Sequence, residues 1–509
     1  MKNSTNTKKI LINFASYGLL QIVNILVGFI LPRLYLQIYG SEINGVIATI
    51  NNFISYFSYV EAGLGLTLMY ALYKPLAENN YDSINQIVTT TKKTYRKISI
   101  IYFTLVVIFA IVFPLLSEKT QLSYLDFSLL IVVIGAYGAF DYLFMSKYRL
   151  LLTADQKEYV ISIAMSIAQV LRFIFVFLLL RVDNISVVVV KIAPVLTIFI
   201  RTILLRIYVK KHYPNVKFNV NSKYDIKKTS NISALLLQMS ISLNLTLPAI
   251  LVSQMVGYKE SSVFSVYYMV ISTVISFASI FSSGIAPTLG KKIQSHEDVT
   301  NLFEEYNFFI SNLLSILFIC STILLLPFVQ IYSSVVDDIN YLNSNYAILF
   351  VVFGYIYASR IPYTAAVNSF GLYRENRLHN IINIFLLLSL SVVLTHFYGI
   401  EGSLISAIIV SFHRNITLVY EVRKKIKFNF MKISLEFAIP LLIIICIHLI
   451  MHFTNINLAI IDGNVIKWVL VAIGTLIVSL FINVLLGFLI DKKSLKSMFV
   501  RIKKVVKRN

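Results

Sequence analysis

Several ionisable side chains stand where the surrounding sequence offers them little water. Glu61, Asp141, Arg33, Arg172, Lys191, Arg201, Arg360 and Arg414 all lie inside or at the edges of long apolar runs. An arginine at the centre of a bilayer costs about 2.5–3.5 kcal/mol on insertion scales, so it is held against a compensating anion. For Arg172 and Arg360, the deepest by residue count, that anion is either Glu61 or Asp141 or a group carried by a substrate. A guanidinium meets a phosphate bidentately and keeps its charge at any relevant pH. Arg33, Arg172, Arg360 and Arg414 are therefore the candidate contacts for an anionic substrate. Glu61 and Asp141 are the candidate coupling acids, exchanging a proton or cation, with a fixed ion pair as the alternative.

Neutral polar residues recur at helical spacing beside these charges. One run carries Asn13, Tyr17, Gln21, Asn24 and Gly28; a second Asn51, Ser55, Ser58, Glu61 and Gly65; a third Ser265, Tyr268, Ser272, Ser276, Ser279 and Ser283. Such stripes face either a wet cavity or a close-packed seam of small residues. On the first reading Asn24, Asn51, Ser272 and Ser276 bind substrate hydroxyls. Catalytic chemistry has no footing. The sequence holds no G-x-x-x-x-G-K-[ST], H-E-x-x-H, G-x-S-x-G or G-x-G-x-x-G motif. His396, His413 and His448 stand apart without ligand spacing, and Cys320 and Cys446 lie in separate apolar stretches. No enzyme, cofactor or metal site is expected.

The elements that hold these residues must be membrane helices. Of 509 residues 57% are hydrophobic and 14% charged, with mean hydropathy +0.77, whereas soluble domains carry roughly a quarter charged residues. Runs able to span a ~30 Å core fall near 10–33, 43–72, 98–117, 123–147, 159–181, 185–207, 231–256, 261–289, 308–332, 345–370, 380–398, 402–420, 434–453 and 466–490. The expectation is an all-α polytopic membrane protein of about fourteen transmembrane helices. The basic N-terminus and long first run read as an uncleaved span. With the N-terminus inside, 35 of 45 Lys and Arg fall in inner segments and four in outer loops. That bias places both termini in the cytoplasm. The net charge of +21 thus reports topology, not nucleic-acid binding.

A weak duplication runs through the chain at an offset near 217. Gln21 faces Gln238, Pro32 faces Pro248, Gly40 faces Gly257, and the turn at 151–167 faces 368–384. Six spans per unit make the repeats parallel, related by an axis along the membrane normal. The expected domains are a six-helix half at 1–213, a cytoplasmic linker at 214–230, a second six-helix half at 231–430, two appended helices at 431–490 and a basic tail at 491–509. Segments 81–97 and 298–309 show apolar residues at helical spacing and read as amphipathic helices lying on the inner surface. The tail sets Leu495, Met498, Phe499, Ile502, Val505 and Val506 opposite Lys and Arg, as a helix on an anionic leaflet would.

These features together carry a family likeness. The apolar spans, six-helix halves, short outer loops, Leu31-Pro32, the Y-x-E-A-G-L-G run from Tyr59 to Gly65 and the L-L-x-A-D-Q-K-x-Y run from Leu151 to Tyr159 resemble Wzx-type polysaccharide flippases. Those belong to the multidrug/oligosaccharidyl-lipid/polysaccharide exporter superfamily, which is MATE-like. The resemblance implies transport of an undecaprenyl-diphosphate-linked oligosaccharide to the outer leaflet of a bacterial plasma membrane. The product would feed capsule, teichoic-type or other surface glycan, alongside glycosyltransferase and polymerase partners. The usual count in that family is twelve spans; the two extra resemble those of lipid II and sporulation flippases. A lipid II-type flippase and a cation-coupled multidrug exporter of the same fold are the alternatives.

Overall fold

The computed structural model describes residues 2–61, 64–117, 120–221, 224, 232–281, 289–290, 292–293, 297–454, 463–492 and 495–496. Among these there is no strand, and the chain divides into two compact units, Met1–Leu235 and Leu236–Asn509. The first unit contains α1 (Lys2–Phe57), a short 3-10 turn (Ser58–Glu61), α2 (Leu64–Ala77), α3 (Tyr81–Leu116), α4 (Tyr124–Phe140), a π-turn (Asp141–Met145), α5 (Ser146–Ala154), α6 (Glu158–Leu179), α7 (Val187–Val190) and α8 (Ile192–His212). The second contains all but the first turn of α9 (Ile232–Met255), then α10 (Tyr258–Ile280), α11 (Thr300–Ser333), α12 (Ser344–Ala358), α13 (Ile361–Phe370), α14 (Arg377–Arg423), α15 (Phe430–Thr454) and α16 (Val465–Ile490).

Twelve helical stretches among the described residues are long and apolar enough to cross a membrane. The expectation was about fourteen, and the difference lies in two stretches of 47 residues, Ala15–Glu61 and Arg377–Arg423. Each would be about 70 Å long, more than twice the hydrocarbon core. Each is broken by a glycine in a conformation closed to other residues: Gly40 at φ 74°, ψ 178° and Gly399 at φ 55°, ψ −131°. Gly257, between α9 and α10, has φ 144°, ψ 167°. Gly40 and Gly257 therefore break the chain at equivalent points of the repeat. Large apolar side chains such as Leu116, Phe453 and Leu489 stand 78%, 81% and 82% exposed, which suits a surface facing lipid.

The inner amphipathic segments differ from expectation. Residues 81–97 and 300–309 are the first turns of the continuous helices α3 and α11, not separate surface helices. The apolar face is real, but Ile84, Ile87, Val88, Thr91 and Tyr95 are buried inside the unit, where α3 packs on α2 and α5. The start of the expected linker straps onto the same helix. Asn85 Nδ2 donates to the Asn215 carbonyl at 3.4 Å, Asn85 Oδ1 accepts from Lys217 N at 2.7 Å, and Val220 N donates to Thr89 Oγ1 at 3.2 Å. The Tyr213 hydroxyl donates to Asp155 Oδ2 at 2.5 Å. Burial and that bond push its pKa up, so it stays a donor. Residues 225–230 and the tail beyond Lys496 lie outside the described residues.

Candidate functional site

The first unit holds a charge-balanced polar network. A π-turn inserts an extra residue into a helical run and re-aims its side chains, and Asp141 opens the one between α4 and α5. Arg201 of α8 is buried and pairs with Asp141 Oδ1, while Arg149 Nη1 lies 3.3 Å from Asp141 Oδ2. Glu61, ending the 3-10 turn, takes hydrogen bonds from the Tyr95 and Tyr142 hydroxyls. Arg149 lies in the field of both acids. The two candidate coupling acids thus share one network with two arginines. Within this unit Asp141 is taken up by Arg149 and Arg201 and is not at ion-pair distance from Arg172.

A second cluster of the same unit is cationic. Gln169 Nε2 donates to Asn24 Oδ1 at 2.8 Å, joining α6 to α1, and Arg172 Nη1 donates to Gln169 Oε1 at 3.4 Å. Arg172 Nε is buried without a hydrogen-bond partner. Lys191, at the α7–α8 junction, is buried with its Nζ 3.8 Å from the centre of the Tyr35 ring. Arg172 acts electrostatically on both Lys191 and Tyr35. The sequence put Lys191 toward the outer end of its span and did not join it to Arg172. Arg33 is half-buried on α1.

The second unit repeats the irregular turn with different chemistry. The helix breaks at Ser359 and Arg360, with Pro362 in the first turn of α13. That position matches the Asp141–Met145 turn at the repeat offset. Here the break is bridged by neutral hydrogen bonds. Asn415 Nδ2 of α14 donates to the Ile356 carbonyl and to Ser359 Oγ, both at 2.7 Å. A carbonyl left over at the break is thereby satisfied. Arg360 stacks over Tyr357, its guanidinium carbon 3.5 Å from the ring centre. Arg414 is 2% exposed, donates to Thr417 Oγ1 at 3.4 Å and keeps Nη2 unbonded. Arg360 and Arg414 feel each other's charge. The acid acting on Arg414, Glu421, is 2.9 Å from Lys424 and 3.4 Å from His379. Among the described residues no carboxylate lies at ion-pair distance from Arg172, Lys191, Arg360 or Arg414.

Beside the break, a cavity of about 670 Å³ opens among α11, α12, α13, α14 and α15. Ser311, Ser359, Ser434, Asn307, Asn415 and Arg423 supply polar groups to a wall otherwise aromatic and aliphatic. Its volume and lining suit an apolar ligand with a few polar contacts. Of the neutral stripe residues, Asn13 and Asn24 tie α1 to neighbouring segments, while others bond their own helix. Asn51 Nδ2 bonds its own helix at the Ile47 carbonyl (2.8 Å), and Ser272 Oγ bonds the Met269 carbonyl (3.1 Å). Asn51 and Ser276 are exposed. Ser283 lies outside the described residues. No three His, Cys, Asp or Glu side chains gather as a metal centre among the described residues.

No family model and no curated protein matches this sequence. The fold does have solved counterparts. An inward-facing multidrug resistance MATE family transporter of the MOP superfamily superposes with TM-score 0.61 at 13% identity, over 84% of this chain and 98% of that one. The lipid II flippase MurJ, in an inward closed conformation, gives 0.61 at 12% identity over 93% and 98%. The eukaryotic MATE transporter AtDTX14 gives 0.57 at 13% identity over 81% and 96%. This chain is a multi-pass membrane protein with the fold shared by MATE transporters and MurJ.

Proposed function

We propose that this chain flips an undecaprenyl-diphosphate-linked oligosaccharide from the inner to the outer leaflet of a bacterial plasma membrane. The observation that carries the reading is the pair of cations set into each unit, Arg172 with Lys191 and Arg360 with Arg414, none with a carboxylate at ion-pair distance among the described residues. Cations at membrane depth call for an anion, and a diphosphate offers two charges and the oxygen geometry that arginine prefers. Asn24, Asn51, Ser272 and Ser276 meet sugar hydroxyls, and Arg33 extends the cationic set. The large cavity beside the α12–α13 break suits the apolar part of an amphipathic substrate.

Transport proceeds by alternating access. The halves at 1–213 and 231–430, joined by the 214–230 linker, rock against each other. Glu61 and Asp141 are the sites of any coupling to a proton or cation. Glycosyltransferases build the substrate on the cytoplasmic face, where both termini lie, and a polymerase consumes it outside. A lipid II-type substrate is the second reading. MurJ aligns over 93% of this chain against 84% and 81% for the two MATE structures, a difference comparable in length to α15 and α16. Proteoliposomes loaded with fluorescent polyprenyl-diphosphate disaccharide, lipid II analogue or cationic dye separate these readings. The proposal requires the disaccharide to be flipped fastest; dye efflux alone refutes it.

A further inference from the structure

Glu436, in the second turn of α15, is 4% exposed and half-satisfied. Its Oε2 accepts from Asn307 Nδ2 at 2.7 Å, while Oε1 is buried without any hydrogen-bond partner. The side chain lines a small, half-open space of about 20 Å³ together with Ser311 and Asn312 of α11 and Asn483 of α16; Ser311 also borders the larger cavity. That is room for a single water-sized particle. The amide nitrogens of Asn312 and Asn483 are spent on their own helices, at the Phe308 and Ser479 carbonyls (2.7 and 2.8 Å). With the nitrogen anchored to its own helix, each amide has its carbonyl oxygen free to turn toward the space.

The surrounding charge is unbalanced in the same sense. Lys432, one turn before Glu436, is shared by Glu304 at 3.4 Å and Asp491 at 2.5 Å. Among the described residues two carboxylates thus share one ammonium while Glu436, one turn along, has no ion-pair partner of its own, and Lys492 is exposed. Buried charge of one sign is costly unless it is paired. We infer that this space binds one small monovalent cation of the size of Na⁺, held by Glu436 Oε1, the amide oxygens of Asn312 and Asn483, and Ser311 Oγ. One carboxylate among neutral oxygens suits a hard monovalent ion, whereas Ca²⁺ or Mg²⁺ sites demand more ligands or bound water than this space holds. The ion ties the appended α15 and α16 to α11, and the inference does not depend on what is transported.

Thermal unfolding of the full chain in nanodiscs tests it, read through Trp468, whose indole donates to the Leu324 carbonyl of α11 at 3.2 Å. NaCl is titrated against choline chloride at constant ionic strength. A saturable Tm rise of about 3–6 °C is expected with Na⁺ well above its Kd. Glu436→Gln should abolish the rise, and Asn483→Ala should shift its midpoint at least tenfold. Asn312→Ala, which leaves every charge in place, carries the same test if Glu436→Gln fails to fold. One ²²Na⁺ bound per chain by equilibrium dialysis would agree. A wild-type Tm identical in Na⁺ and choline would overturn the inference, most directly if the Tm instead rose on acidification, which makes Glu436 a proton holder. An unchanged Na⁺ response in the Asn312 and Asn483 variants would overturn it as well.

Discussion

At the scale of single residues, the sequence announced which charges were anomalous but not how they were partnered. Glu61, Asp141, Arg172, Arg360 and Arg414 stood out because each interrupts an apolar run. The Asp141–Arg201 pair spans 60 positions, and its formation depends on which helix faces meet and on the π-turn that aims Asp141. Neither is visible in spacing. Lys191 escaped because a lysine near a span end ordinarily snorkels to water, whereas here its ammonium lies on Tyr35. Asp141→Asn strands Arg149 and Arg201 and should cost about 3–5 kcal/mol, seen as lost abundance and a lower Tm. Asp141→Asn combined with Arg201→Leu should recover much of that loss, since it leaves no buried charge on α8. If the single variant is as stable as wild type, the network is not structural. For Glu61→Gln the expected outcome is loss of gradient-driven transport with substrate binding kept, because Gln can still accept from Tyr95 and Tyr142. Normal gradient-driven flux in that variant would make Glu61 a structural acceptor only.

At the scale of elements, hydropathy gave the spans and the offset of 217 gave the repeat, since both rest on patterns intrinsic to a helix in lipid. The conformations of Gly40 and Gly257 supply the physical reason for that repeat landmark. The inner segments were misjudged because an amphipathic face looks the same whether it lies on lipid or on protein. Length could have discriminated: α3, at 36 residues, runs well beyond a bilayer core without a break. Glycine positions separate tight packing from open surface. At Gly402 an added Cβ would collide with the Leu394 carbonyl oxygen, while at Gly474 nothing lies within 4 Å. Gly402→Ala should therefore lower the Tm by several degrees, whereas Gly474→Ala should leave it unchanged or slightly raised. Equal melting of the two variants would contradict the close turn after Gly399.

For the whole molecule, the Lys and Arg distribution sets the expected orientation. Single cysteines at Lys217 and Lys467, both exposed, placed in a chain with Cys320 and Cys446 replaced, should react with an impermeant maleimide from opposite sides of intact cells. Labelling from the same side would contradict the map. The central claim is that the unbalanced arginines await the substrate's diphosphate, and Arg360 is its most direct probe. Purified protein in proteoliposomes should flip fluorescent polyprenyl-diphosphate disaccharide. Arg360→Lys, which keeps charge but loses the bidentate fork, should retain part of the rate. Arg360→Ala should lose at least tenfold while folding normally. A normally folded Arg360→Ala that flips the lipid at the wild-type rate would contradict the account.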